Sequence, residues 1–185
     1  MLKEMRVAGI TVDPFTNTPI VLLKDLEDKD VLPIWIGLLE ASSIATTLEN
    51  INTPRPMTHD LVKNILDNLG VKVVRVEVND LKDNTYYALI HLVIDNKRLV
   101  IDSRPSDAIA LAVRVTAPIF AEDSVLDKAG IILDQEPGKI STATKNTEKN
   151  SSQQDKIDEQ ELKKLSAYYD FINTLDLEDF GKHKS

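Results

Sequence analysis

The chain has 185 residues, 42% hydrophobic and 28% charged, with a net charge of −8 and no cysteine. That length supports one well-buried domain and not two large ones, in a composition ordinary for a soluble globular protein. Without cysteine there is no disulfide framework, no thiolate nucleophile and no thiolate-bound zinc. The acid excess runs along the whole chain: residues 1–133 carry 14 Lys+Arg against 19 Asp+Glu, and residues 134–185 carry 8 against 11. A protein that grips nucleic acid by neutralising phosphates normally shows a basic stripe, and none is visible. The start, Met1-Leu2-Lys3-Glu4-Met5-Arg6, mixes charges at once, unlike a signal peptide. No apolar run is long enough to span a membrane, so a cytoplasmic protein without membrane contact is expected.

In chain order, Met5–Val12 is rich in Val and Ile and reads as a strand. The turn Asp13 to Thr18 follows, its Asp and Asn able to bond nearby backbone and tolerate positive φ. Pro19–Lys24 is the return strand, a turn at Glu27–Asp30 leads to a third strand Val31–Ile36, and Leu38–Asn50 reads as a helix. Thr58–Leu69 is a second helix, with Thr58 as N-cap, an apolar stripe of Leu61, Ile65, Leu66 and Leu69, and Gly70 as the stop. Strands Lys72–Val78, Tyr86–Ile94 and Leu99–Asp102 come next, with turns at Asp80 to Thr85 and Asp95–Lys97, and then a helix Ser106–Val115. Pro118-Ile119-Phe120 is a short extended piece, and Asp123 or Ser124 caps a brief helix to Ala129.

The two halves of this pattern match each other. Residues 1–46 set against 68–113, an offset of 67, give eleven identities in 46 positions without a gap. Among them are Asp13/Asp80, Asn17/Asn84, Thr18/Thr85, Ile34/Ile101 and Ala41/Ala108, with Glu40/Asp107 a conservative pair. Turns match turns and apolar positions match apolar positions, so an internal duplication is the expectation. The predicted architecture is α+β: a βββα unit present twice, at about 1–50 and 68–115, in one domain over 1–133. Its sheet is mainly antiparallel with helices packed on it. Residues 134–160 shift to Ser, Thr, Asn, Gln, Lys and Glu and read as a flexible polar linker. Residues 161–185 hold an amphipathic helix, with Leu162, Leu165, Tyr169, Ile172 and Leu175 at helical spacing. A helix of about three turns is marginal alone, so it is expected to pack on the core, bind a protein partner or mediate oligomerisation.

Three segments carry a family signature. Leu32-Pro33-Ile34-Trp35-Ile36-Gly37 runs into Glu40-Ala41, and Arg55-Pro56-Met57-Thr58-His59-Asp60-Leu61 opens the middle helix. Asp102-Ser103-Arg104-Pro105-Ser106-Asp107-Ala108 continues to Val113 and is followed by Ala117-Pro118-Ile119-Phe120. Together with Asp83-Asn84-Thr85-Tyr86-Tyr87-Ala88, they make residues 3–133 resemble the bifunctional nuclease family of bacteria and plants. That resemblance implies DNase and RNase activity, with DNA or RNA as substrate.

The candidate site residues follow from these motifs. Glu40 and Asp107 occupy equivalent places in the first turns of their helices. An acid there complements the helix dipole; alternatively the two carboxylates pair to hold a divalent cation, Mg²⁺ or Mn²⁺, with help from Asp60 and Asp102. Arg104 either bridges Asp102 or Asp107 or holds a phosphate, and Arg55 is a second candidate phosphate contact. His59, in a charged cluster at a helix start, is a candidate proton carrier, metal ligand or plain surface residue. Trp35 is expected in the core or at an interface. Ser103 is a candidate cap, and Pro105 fits the first helical position. No Gly-rich phosphate loop, HExxH or GxSxG occurs. The competing expectation is a non-catalytic, homo-oligomeric binding or regulatory protein, in which the polar clusters are caps and interface salt bridges.

Overall fold

The computed structural model describes residues 1–133 and 140–142. Strands β1 (Leu2–Val12), β2 (Pro19–Asp25) and β3 (Asp30–Trp35) form an antiparallel meander that leads into α1 (Leu38–Leu48). Helix α2 (Thr58–Asn68) connects it to a second meander of β4 (Lys72–Lys82), β5 (Thr85–Ile94) and β6 (Lys97–Ser103), followed by α3 (Pro105–Val115). Then come β7 (Ile119–Glu122), α4 (Asp123–Ala129), β8 (Ile131–Leu133) and β9 (Ile140–Thr142). All nine strands form one sheet in the order β6-β5-β4-β7-β1-β2-β3-β8-β9. Every pairing but one is antiparallel, and the fold is α+β as expected.

The exception is the seam. Strand β7 lies between the meanders, antiparallel to β1 through Met5↔Ile119 and parallel to β4 through Val76↔Ile119. One short strand thus welds two three-stranded sheets into one. The core is built on that weld: Leu23, Leu32, Ile34, Ile44, Val76, Val78, Ile109 and Val125 belong to a single buried cluster. Helix α1 packs on β1 and β2, α3 packs on β4 and β5, and the two helices pack on each other. Truncating a buried Leu or Ile of such a core to Ala costs about 2–5 kcal/mol.

Several sequence expectations are corrected locally. In the second meander β4 does not stop near Asp80; it runs to Lys82, and Asp83-Asn84 alone make the turn, both at positive φ. In the first, the long Asp13–Thr18 turn exists because the Asp13 carboxylate accepts the Phe15 and Thr16 N–H groups. Thr58 is the first helical residue, not the N-cap. Met57 holds that place, and its N–H donates to the Asp60 carboxylate at 2.9 Å. Ser103 does not cap α3 either, since its hydroxyl donates to the Arg104 carbonyl at 2.9 Å and Arg104 is the N-cap. Pro105 does take the first helical position, and Gly70 ends the α2 region at φ +66°.

Within the expected polar linker, Ile140–Thr142 form β9, because their backbone completes a ladder with β8 from Ile131↔Thr142 to Leu133↔Ile140. The remainder of that linker and the amphipathic segment 161–185 lie outside the described residues. Among the described residues no helix is long and apolar enough to cross a membrane. Among the described residues, α2 buries none of its residues and exposes Leu61 and Ile65, and edge strand β6 exposes Leu99, Val100 and Ile101.

Candidate functional site

The two meanders deliver the N-termini of α1 and α3 to one place. Glu40 and Asp107 are each the third residue of their helix, and neither helix start has a side-chain cap. Free N–H groups at a helix start attract negative charge, which accounts for an acid at both positions. The two carboxylates do converge, as the sequence led one to expect, but a guanidinium joins them. Arg104 donates from Nε to Asp107 Oδ2 at 2.6 Å and from Nη2 to Asp107 Oδ1 at 3.0 Å. The same Nη2 donates to Glu40 Oε1 at 2.8 Å. Of the two partners weighed for Arg104, the structure selects Asp107, and it adds Glu40 from the other meander.

Glycine makes the Glu40 pose possible. A Cβ added at Gly37 would stand 2.2 Å from Glu40 Oε2, so only glycine lets that carboxylate fold over the helix start. Electrostatics lock the pair. Hydrogen bonds to Asp107 and then Glu40 push the Arg104 guanidinium above its ordinary value. Burial pushes the Asp107 carboxyl up, but the bonds from Arg104 and His59 outweigh it and hold Asp107 below the usual carboxylate value.

His59 is the third spoke. Its Nε2 lies 3.1 Å from Asp107 Oδ1 and its Nδ1 lies 2.8 Å from Ser43 Oγ. An ionised carboxylate only accepts, so Nε2 donates to Asp107, and Nδ1 shares the second hydrogen bond with the Ser43 hydroxyl. With both nitrogens bonded to protein, the ring ties α1, α2 and α3 together and orients Asp107. Beneath it, Arg114 is 4% exposed and serves the same three helices. It donates from Nε to Asp60 Oδ1 at 2.6 Å and from Nη2 to the Ser43 carbonyl at 3.1 Å. The hydrogen bond from Arg114 draws the Asp60 carboxyl below its ordinary value, against the opposing effect of burial.

The predicted site residues therefore separate. Glu40, Arg104, Asp107 and His59 form one connected cluster, with Asp60 attached through Arg114 and Ser43. Asp102 is exposed on β6 and, among the described residues, its side chain makes no hydrogen bond or ion pair. Arg55 is exposed in the loop before α2, where its carbonyl accepts the Thr53 hydroxyl at 2.8 Å. Sequence reasoning missed Ser43 and Arg114. The available signal for Arg114 was a lone charge in the apolar run from Ala108 to Val115, but its partner lies 54 residues away.

These residues do not fit a divalent cation as they stand. A cation cage needs clustered oxygen donors around an open centre, and here Arg104 fills the gap between Glu40 and Asp107. Among the described residues no group of three or more His, Asp or Glu could hold a metal ion. What the cluster offers instead is one guanidinium held by two of its nitrogens. Its Nη1 edge carries no protein partner among the described residues, and the side chain is 66% exposed.

Beside the cluster lies a cleft of about 340 Å³ lined by Thr18, Trp35, Asn84, Tyr86, Arg104 and Ser106, among others. Trp35 is neither core nor fully covered. It is 42% exposed, and its indole N–H donates to Asp13 Oδ2 at 3.1 Å.

Comparison with known sequences gives the family. The profile of the Bifunctional nuclease domain matches residues 21–134. An uncharacterized protein of Mycobacterium tuberculosis is 34% identical over 172 residues, covering 93% of this chain and 96% of its own. Bifunctional nuclease 2 of Oryza sativa subsp. japonica is 31% identical over 140 residues, covering 73% of this chain and 42% of its own. Bifunctional nuclease 1 of Arabidopsis thaliana is 33% identical over 129 residues, covering 67% and 39%. The match with the plant proteins thus spans less than half of their length.

Proposed function

The chain belongs to the bifunctional nuclease domain family, and from that premise we propose that it hydrolyses phosphodiester bonds of DNA or RNA at the Glu40–Arg104–Asp107–His59 cluster. The observation that carries this reading is the arginine: its Nε and Nη2 are fixed by carboxylates from two meanders, while Nη1 has no protein partner among the described residues. A phosphate oxygen approaching that edge meets a positive group whose orientation is already set, which is how preorganised charge stabilises a transition state.

Glu40 Oε2 takes no part in the Arg104 bond and supplies the base. Water attacks phosphorus, its proton passes to Glu40, the bond from phosphorus to the leaving oxygen breaks, and solvent at the open rim protonates that oxygen. Arg104 offsets the charge that builds on the phosphoryl oxygens. Asp107 orients Arg104, and His59 and Ser43 orient Asp107. Asp102 and Arg55 have no step in this scheme, and no step needs a metal.

The test is release of nucleotides from single-stranded DNA and RNA by the folded protein, with Mg²⁺, with Mn²⁺ and with EDTA. Hydrolysis is expected in all three, and Arg104→Gln is expected to reduce it by about 10²–10³-fold, the loss typical of one oxyanion donor. No release under any condition sinks the reading. Loss in EDTA that Mn²⁺ restores would overturn the metal-free scheme.

A second reading has its own observation. Each charged group of the cluster already has a protein partner, the chain is acidic throughout, and α2 and β6 expose apolar side chains. A non-catalytic homo-oligomer, or a regulator whose segment 161–185 holds a protein partner, accounts for those features. It predicts a concentration-dependent mass by sedimentation, and no hydrolysis.

A further inference from the structure

The two ends of the sheet are finished differently. At one end stands β9, three residues long, and a short edge strand offers little to pair with. At the other end β6 runs for seven residues and pairs with β5 along its whole length without a bulge. Among the described residues nothing pairs with its outer side. Its middle is three consecutive apolar side chains, Leu99, Val100 and Ile101, which are 47%, 52% and 47% exposed. We propose that this edge is a dimer interface, in which β6 of one copy pairs antiparallel with β6 of a second about a twofold axis at Val100.

Backbone geometry supplies the first argument. Asp95 and Asn96, both at positive φ, form a two-residue type I′ turn, and its flanking pair Ile94↔Lys97 exchanges both backbone bonds. Hydrogen-bonded pairs then alternate along the ladder, so Lys97, Leu99, Ile101 and Ser103 spend their N–H and C=O groups on β5. Arg98, Val100 and Asp102 turn theirs to the outer edge. A row of such donors and acceptors on a regular, apolar strand is a template for another strand.

The side chains choose which strand. Read about Val100, the segment Lys97-Arg98-Leu99-Val100-Ile101-Asp102-Ser103 is complementary to itself. In antiparallel register Val100 faces its own copy, Leu99 faces Ile101, and Arg98 faces Asp102. Arg98 and Asp102 are exposed, and among the described residues neither side chain makes a hydrogen bond or ion pair. The twofold gives each its opposite charge, and such pairs directly across two strands favour the pairing. Moving the axis to Leu99 sets Arg98 against Val100, and moving it to Ile101 sets Asp102 against Val100. Neither shifted register joins the two charges.

The apolar layer fits as well. Leu99 and Ile101 lie across from Leu92 and Ile90, which pack in the core, so joining two edges carries that layer through the axis. A twofold contact also closes on itself, so this edge yields a pair and not a filament. Arg98 and Asp102 have no step in hydrolysis, and the pairing holds for an enzyme and for a non-catalytic oligomer alike.

Sedimentation velocity of the full chain over a range of concentrations tests it, and the wild type is expected to dimerise. Arg98→Asp sets acid against acid across the axis, and Asp102→Arg sets guanidinium against guanidinium. Each is expected to weaken the dimer by about 10- to 100-fold. Mixed together, the two variants carry opposite charges on facing strands, and the mixture is expected to regain wild-type affinity as a heterodimer. The double variant Arg98→Asp/Asp102→Arg is expected to regain it alone. Circular dichroism checks that each variant is folded. In the wild type, hydrogen exchange at the Val100 and Asp102 amides is expected to slow as concentration rises, a readout that needs no variant.

A wild type that stays monomeric at every concentration overturns the proposal. If its Val100 amide is then protected at all concentrations, the occupant of the edge is the chain's own segment 143–185. A dimer that both single variants leave intact, or that neither the mixture nor the double variant restores, has a different interface or register, and the proposal is wrong. Hydrolysis at the Arg104 cluster is untouched by either outcome.

Discussion

The two meanders run through the same elements and end at the same kind of helix start, yet they furnish it differently. The first arrives as Trp35-Ile36-Gly37, an aromatic ring and a glycine that lets Glu40 fold back. The second arrives as Asp102-Ser103-Arg104-Pro105, which places a cation at the N-cap and stiffens the first turn with proline. Their turns differ in the same sense. Asp13 caps a long turn and pins the indole, whereas Asp80 stays within a strand that closes on the two-residue Asp83-Asn84 turn. Neither half holds a site alone. The carboxylate and the ring come from one, the guanidinium from the other, and the cluster exists only where β7 has joined the sheets.

The variants that break this division of labour are ranked by their expected effect. Glu40→Gln removes the proposed base while keeping a hydrogen-bond acceptor for Arg104, and hydrolysis should fall by about 10²–10⁴-fold, measured under single turnover. Melting should change little, because exposed ion pairs contribute about 0–1 kcal/mol. Arg114→Met should do the reverse. It leaves Asp60 and two carbonyls without their partner at a buried position, with a loss of about 3 kcal/mol in urea unfolding. Gly37→Ala sharpens the comparison between helix starts. The end of the Glu40 side chain must move aside, which costs little stability at this exposed position, and most of the activity is expected to go with the lost pose. An unchanged rate in Gly37→Ala would show that the Glu40 pose is immaterial.

The smallest effects are in pH. Asp60 and Asp107 both sit below their ordinary value in the folded chain. Each therefore contributes stability that is fully present above about pH 4 and is lost as pH falls through the folded value. The helix packing should survive at pH 4 and weaken below it, followed by circular dichroism. Tyr86, pushed up to about 12 by burial in the cleft wall, works in the opposite direction. It holds its proton where the unfolded chain has lost it, so stability should decline from about pH 10 upward.

Much of this was legible in the sequence. Turn residues and alternating apolar runs mark six of the strands, and α1 and α3 start within a residue of their expected place. What hid was set by distance. Nothing in Ile119–Glu122 says that it will lie between β1 and β4, because that pairing is decided by the packing of both meanders. Glu40 and Asp107 stood out by their equivalent positions, but the guanidinium between them did not: Arg104 had local acids to choose from, and its cross-sheet partner is 64 residues away. Of the core or interface expected for Trp35, its 42% exposure removes the core, since ring size alone is a poor guide to exposure.

The central claim is that the Glu40 carboxylate and the Arg104 guanidinium, one from each half, act as a single device. A double-mutant cycle on the single-turnover rate of oligonucleotide hydrolysis tests it most directly, using Glu40→Gln, Arg104→Gln and the pair. The prediction is strong non-additivity, with the double variant scarcely slower than either single one. Losses that simply multiply, or single variants as fast as the wild type, would contradict it.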